Sequence, residues 1–240
     1  MSFNTIAPKR FSSPFGTWCT TVSPPHRRWI NFLRNKAGNS SSTGTQRKEW
    51  LKKKNLIVAI TGASGSPYAH ALLRALPMDE IQIHLVASSA GKLVYGLEME
   101  RPLEEDLPTG VRLYDEKDFT APFASGSFPS AGMIIVPCSM GTLAAIAGGI
   151  SQNLIHRAAD VCLKESRKLV IVPRETPLNR IHLTNMLRVS EAGGIILPPM
   201  PGFYHRPKTI DELVHFVVAR IMEQFQIPQN LVTPWDPGGS

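Results

Sequence analysis

Four of the charged side chains in one stretch, LIHRAADVCLKESRKLVIVPRETP, residues 154–177, could do chemistry together: Arg157, Lys164, Arg174 and Glu175. Several fixed cations and one carboxylate suit an anionic substrate and a proton transfer. The apolar spacing of Ile155, Ala158, Ala159 and Cys162 predicts a helix over 154–167. Arg157 and Lys164, seven apart, then project from nearly the same side. Leu169–Val172 reads as a strand buried on both faces, ended by Pro173. In a parallel sheet, ligands sit outside the carboxyl ends of the strands, which puts Arg174 and Glu175 at the site. A second reading stays open, in which the cations form a solvated basic helix face.

Two turns of small and hydroxylic residues add anion cradles. TGASG at 61–65 offers Gly62, Ala63 and Ser64 where a strand passes into a helix, and PCSMGT at 137–142 offers Ser139 and Thr142. Together they suggest a mononucleotide lying across the sheet's edge. A plain tight turn and a simple helix cap are the competing readings. The dinucleotide GxGxxG fingerprint is incomplete, and the YxxxK spacing from Tyr204 to Lys208 contains Pro207, so a nicotinamide dehydrogenase is disfavoured. Cys138 reads as a small buried hydrophobe. Tyr204 lies in a Pro-rich loop at 198–207. Arg220 borders the apolar stripe of the last helix, where it either snorkels or reaches an anion. The histidines show no metal spacing, and no metal is assigned.

These residues need a scaffold, and the sequence supplies alternating strands and helices from Asn55 onward. The class predicted is α/β, with a mainly parallel sheet and helices on both faces, in a single domain over 55–236. Residues 1–54 carry eleven basic side chains against one acidic, leaving the remainder with fifteen basic and eighteen acidic. The chain's net charge of +7 therefore belongs to the arm, and nucleic-acid binding by the body is not expected. The arm reads as a disordered segment, an upstream extension or a basic transit peptide; residues 237–240 are a tail. A cytoplasmic location is expected, or a mitochondrial one if the arm is a transit peptide. Three cysteines without a CxxC suggest neither a disulfide framework nor a zinc site. No run approaches the roughly 18 apolar residues of a membrane span.

The ordered set TGASG (61–65), ASGSF (124–128), PCSMGTLAAIAGG (137–149), RAADVCLKE (157–165), PRETPL (173–178) and PGFYHRP (201–207) resembles the flavin prenyltransferase, or UbiX-like, family. The resemblance runs from about Asn55 to Trp235. It implies a flavodoxin-like Rossmann fold, a homo-oligomer that is a dodecamer, and FMN bound between subunits. It implies that reduced FMN accepts the dimethylallyl group of dimethylallyl phosphate at N5 and then C6, without a metal, and that the product goes to a UbiD-type decarboxylase. By the same resemblance Gly62, Ala63, Ser64, Ser88, Ser139, Met140, Gly141, Thr142 and Arg174 hold the flavin. Tyr204, Arg220, Lys164 and Trp235 meet the prenyl donor, and Glu175, Lys164 and Arg157 are catalytic. A flavin-dependent cysteine decarboxylase of the same fold, or a non-catalytic flavin carrier, are the alternatives.

Overall fold

Six strands pair side by side in a computed structural model that describes residues 53–233. They are β1 (Lys54–Ile60), β2 (Ile81–Ala87), β3 (Arg112–Asp115), β4 (Gly132–Cys138), β5 (Lys168–Pro173) and β6 (Ile195–Ile196). All pairings are parallel, in the order β3-β2-β1-β4-β5-β6. The helices between them are α1 (Ser66–Ala75), α2 (Ser89–Met99), α3 (Met140–Ala147), α4 (Leu154–Lys164), α5 (Arg180–Glu191) and α6 (Ile210–Gln224). The α/β class expected from the sequence is the class observed.

Burial on both faces explains the continuous apolar strands. Along β1, Leu56, Val58 and Ile60 enter one cluster with α1 and α6, while Ile57 and Ala59 enter another with α3 and α4. Leu169, Val170, Ile171 and Val172 of β5 divide the same way, and all four are fully buried. Each such side chain contributes about 1.5–3 kcal/mol by leaving water.

Local chemistry sets the helix ends. Asn153, Asn179 and Thr209 cap α4, α5 and α6 with side-chain acceptors. The helix expected over 154–167 stops at Lys164, because Ser166 turns left-handed at φ 52 and the Arg167 amide closes onto the Cys162 carbonyl at 2.8 Å. Among the described residues no helix is long and apolar enough to cross a membrane. Residues 1–52 of the arm, Trp235 and the 237–240 tail lie outside the described residues, while Lys54, expected in the arm, opens β1.

Candidate active site

The sheet order reverses direction between β1 and β4, and in such sheets the ligand crevice opens outside the carboxyl ends at that point. Thr61 ties the two strand ends together. Its hydroxyl donates to the Pro137 carbonyl at 2.9 Å and accepts the Ser139 amide at 2.7 Å. Arg174, directly after β5, donates from its backbone to the Cys138 carbonyl at 3.1 Å and from Nε to the Ser64 carbonyl at 2.9 Å. The turns after β1, β4 and β5 thus form one surface carrying Ser64, Ser139 and Arg174, with exposed Glu175 beside it.

The helices that follow β1, β2 and β4 begin on this side of the sheet, and carboxylates already occupy two of these three starts. Glu98 accepts from the Gly65 amide at 3.0 Å and the Ser66 amide at 2.7 Å, filling the start of α1. Glu116 accepts from the Ser89 amide at 2.8 Å and hydroxyl at 2.6 Å at the start of α2. At α3 no carboxylate intervenes among the described residues. Ser139 Oγ accepts the Thr142 amide at 3.3 Å, and the Met140 and Gly141 amides are first-turn donors without an intrahelical partner. A Cβ built on Gly141 would meet nothing within 4 Å. Of these three, the α3 start is therefore the one open to an anion.

The anion cradle expected at TGASG is not what its glycine serves. A Cβ on Gly62 would lie 2.6 Å from the Ala90 Cβ, so Gly62 allows α2 to pack on the end of β1. The amides of Gly65 and Ser66 go to Glu98, a residue the sequence reading passed over. Glu98 has no motif around it and becomes visible only when α2 crosses to the β1 turn. Burial acts to raise its carboxyl, but hydroxyl and amide donors from Ser64, Ser66 and Gly65 outweigh that and hold it below the usual range. Ser88, the expected flavin contact after β2, caps α2 by accepting the Gly91 amide at 3.0 Å.

Arg157 and Lys164 do share a helix face, which meets the 124–128 loop. Arg157 Nε donates to the Ala124 carbonyl at 2.9 Å, and Lys164 lies against Gly126. The two stand at different heights. Leu154 bonds Glu116 just beyond the carboxyl end of β3, whereas Arg167 and Lys168 lead into the amino end of β5. The ten steps from Leu154 to Lys164 rise roughly 15 Å, so Lys164 stands near the opposite end of the sheet from Arg174. Arg220 lies in the second half of α6, whose last carbonyl, that of Gln224, accepts from Lys168. Each of the three cations is held by a nearby acid: Arg157 by Asp160, Lys164 by Glu165 and Arg220 by Glu223. One chain thus brings Ser64, Ser139–Thr142, Arg174 and Glu175 together and leaves Lys164 and Arg220 apart from them. Tyr204 packs on Phe216 of α6, and Trp235 lies outside the described residues.

Cys138 is fully buried, and burial pushes its thiol up, away from any nucleophilic role. Among the described residues no group of His, Cys, Asp and Glu could hold a metal ion.

A family model for flavoproteins matches residues 44–222. The chain is 48% identical over 193 residues to flavin prenyltransferase UbiX of Alkalihalophilus pseudofirmus, covering 76% of this chain and 96% of that one. Among solved structures, AnUbiX in complex with FMN and dimethylallyl pyrophosphate matches with a TM-score of 0.76 and 39% identity, over 78% of this chain and 100% of that one. A dodecameric FMN-dependent UbiX-like decarboxylase from Escherichia coli matches with a TM-score of 0.70 and 46% identity, over 73% and 96%.

Proposed function

This chain belongs to the flavin prenyltransferase family of flavoproteins, and from that premise we propose that it joins the dimethylallyl group of dimethylallyl phosphate to reduced FMN, at N5 and then C6, without a metal, for use by a UbiD-type decarboxylase. The observation that carries the reading is the start of α3, capped by Ser139 but filled by no carboxylate among the described residues, beside Ser64 and Arg174. The FMN phosphate suits it: the Met140 and Gly141 amides and the Ser139 and Thr142 hydroxyls would be its donors. Arg174 and Ser64 would border the ring. When bound, the flavin supplies the nucleophile.

The remaining residues act on the prenyl donor. As its carbon–oxygen bond breaks, negative charge grows on the phosphate, and fixed cations in a water-poor site stabilise it. Tyr204, Arg220, Lys164 and Arg157 take that part. The three cations are at present paired with acids near the surface, in contacts worth about 0–1 kcal/mol that a phosphate dianion can displace. Glu175, exposed beside Arg174, carries the proton. Because Lys164 and Arg220 stand apart from Arg174 in one chain, neighbouring copies complete the site. A dodecamer like that of the Escherichia coli relative is the assembly we propose.

The test is direct. Purified protein with reduced FMN, dimethylallyl phosphate and a chelator should yield, by mass spectrometry, a flavin heavier by one five-carbon unit. A flavin of unchanged mass would refute the activity.

A further inference from the structure

Tyr204 and Arg220 come from different elements, a proline-rich loop and a helix, yet both must address one phosphate. The described structure contains a device that fixes one against the other. The Tyr204 ring stands edge-on to Phe216, with centroids 5.9 Å apart and planes at 78°. His205 stacks flat on the same Phe216 ring, 5.5 Å away with planes at 2°, and meets Tyr204 edge-on at 5.5 Å. Phe216 sits one helical turn before Arg220 on α6, so the two side chains rise from the same face. They also line the same cavity of about 310 Å³ beside β6. From below the loop, Gly202 permits the approach. A Cβ there would come within 3.0 Å of both the Phe216 and Tyr204 rings.

We propose that Phe216 is a positioning residue for the prenyl donor, a plate that sets the Tyr204 hydroxyl at a fixed offset from the Arg220 guanidinium. Helix α6 is anchored by buried Val217, Val218 and Ile221, so Phe216 and Arg220 move as one body. The loop has no helix or strand of its own, and its place comes from ring contacts. His205 works here through its ring faces: neither ring nitrogen reaches solvent or a hydrogen-bond partner among the described residues. Binding a small phosphate ester with two groups from separate elements costs less when their separation is set beforehand.

The inference rests on Tyr204 and Arg220 holding the prenyl phosphate, and the experiment separates the two ideas. Four variants of the full chain, Phe216→Ala, Phe216→Tyr, Gly202→Ala and Tyr204→Phe, are titrated with dimethylallyl phosphate in the oxidised, FMN-loaded state, then assayed for KM and kcat. FMN affinity is measured separately. Phe216→Ala and Gly202→Ala should each weaken dimethylallyl phosphate binding by about fivefold, the scale of one aromatic contact. KM should rise while kcat and FMN affinity hold, and Phe216→Tyr should restore binding. If Tyr204→Phe weakens the phosphate but the Phe216 and Gly202 variants do not, the plate is refuted and the phosphate reading stands. If Tyr204→Phe changes nothing, the phosphate reading itself falls. A drop in FMN affinity equal to the loss of prenyl binding would make Phe216 a merely structural residue and overturn the proposal. Should Phe216→Ala fail to fold, Gly202→Ala decides, since it disturbs the same contact from the loop.

Discussion

Glu98 closes the start of α1 by accepting the Ser66 amide at 2.7 Å, with the Gly65 amide at 3.0 Å on the same carboxylate. A side chain from α2 thereby takes the place an external anion would fill. The contact leaves an acid signature. The Glu98 carboxyl is held below its ordinary value of 4.5 in the folded chain, so it contributes stability in full above that pH and loses it as pH falls further. Glu98→Gln should lower the unfolding free energy at pH 7 by roughly 0.5–1 kcal/mol, a cap loss at an exposed site, and flatten the acid limb below pH 4.5. Urea melts across pH 3–7 check both. An unchanged acid limb in the variant would mean the contact contributes nothing.

Gly62 and Gly141 look alike in sequence, each in a small-residue turn after a strand, but they should respond oppositely to alanine. A methyl at Gly62 collides with Ala90 at 2.6 Å, so Gly62→Ala should cost about 2 kcal/mol of stability as α2 is pushed off β1. A methyl at Gly141 enters open space. Gly141→Ala should melt like the parent and bind FMN about tenfold more weakly, because the methyl stands where the phosphate would lie. Thermal melts and flavin fluorescence titrations separate the two effects.

His84 gives a second pH-dependent contribution, away from the site. It is almost fully buried, and one neutral tautomer serves both its partners: Nδ1 accepts from the Tyr114 hydroxyl at 2.9 Å and Nε2 donates to Asn55 Oδ1 at 3.1 Å. Burial, with Arg112 adding to it, lowers its pKa from 6.5 to about 4. The unfolded chain therefore takes up a proton first. Stability present above pH 6.5 drains as pH falls toward 4, by ~3 kcal/mol at most. NMR titration of the His84 ring should show a midpoint near 4; a midpoint near 6.5 would refute the account.

The scaffold was legible because strands buried on both faces must be continuously apolar. Leu169–Val172 and Met133–Val136 announce themselves as β5 and β4 for that reason alone. The PCSMGT turn was legible too, since its hydroxyls and glycine follow a buried strand directly. Glu98 was not, because its role depends on where α2 crosses the β1 turn, which no local pattern encodes. Lys164 and Arg157 share a helix face, as their spacing of seven requires, yet helical rise carries Lys164 away from the strand ends. Periodicity reports the face a residue occupies and is silent about its height.

That separation of height bears on the assembly. Lys164 stands near the amino end of β5 and Glu175 just past its carboxyl end, so a site using both draws them from different copies. Lys164→Ala and Glu175→Ala should each slow prenylated flavin formation by about a hundredfold or more, within the range lost with a catalytic acid–base group, while FMN stays bound. Each variant alone has every site defective. When the two are mixed and reassembled, some sites receive Lys164 from one copy and Glu175 from another, and others lose both. For a site shared between two copies, an equal random mixture makes about one site in four intact. Activity near a quarter of the parent's is therefore the expected result. A mixture as inactive as its components would mean that each chain supplies both residues to its own site, and the shared-site account would fail.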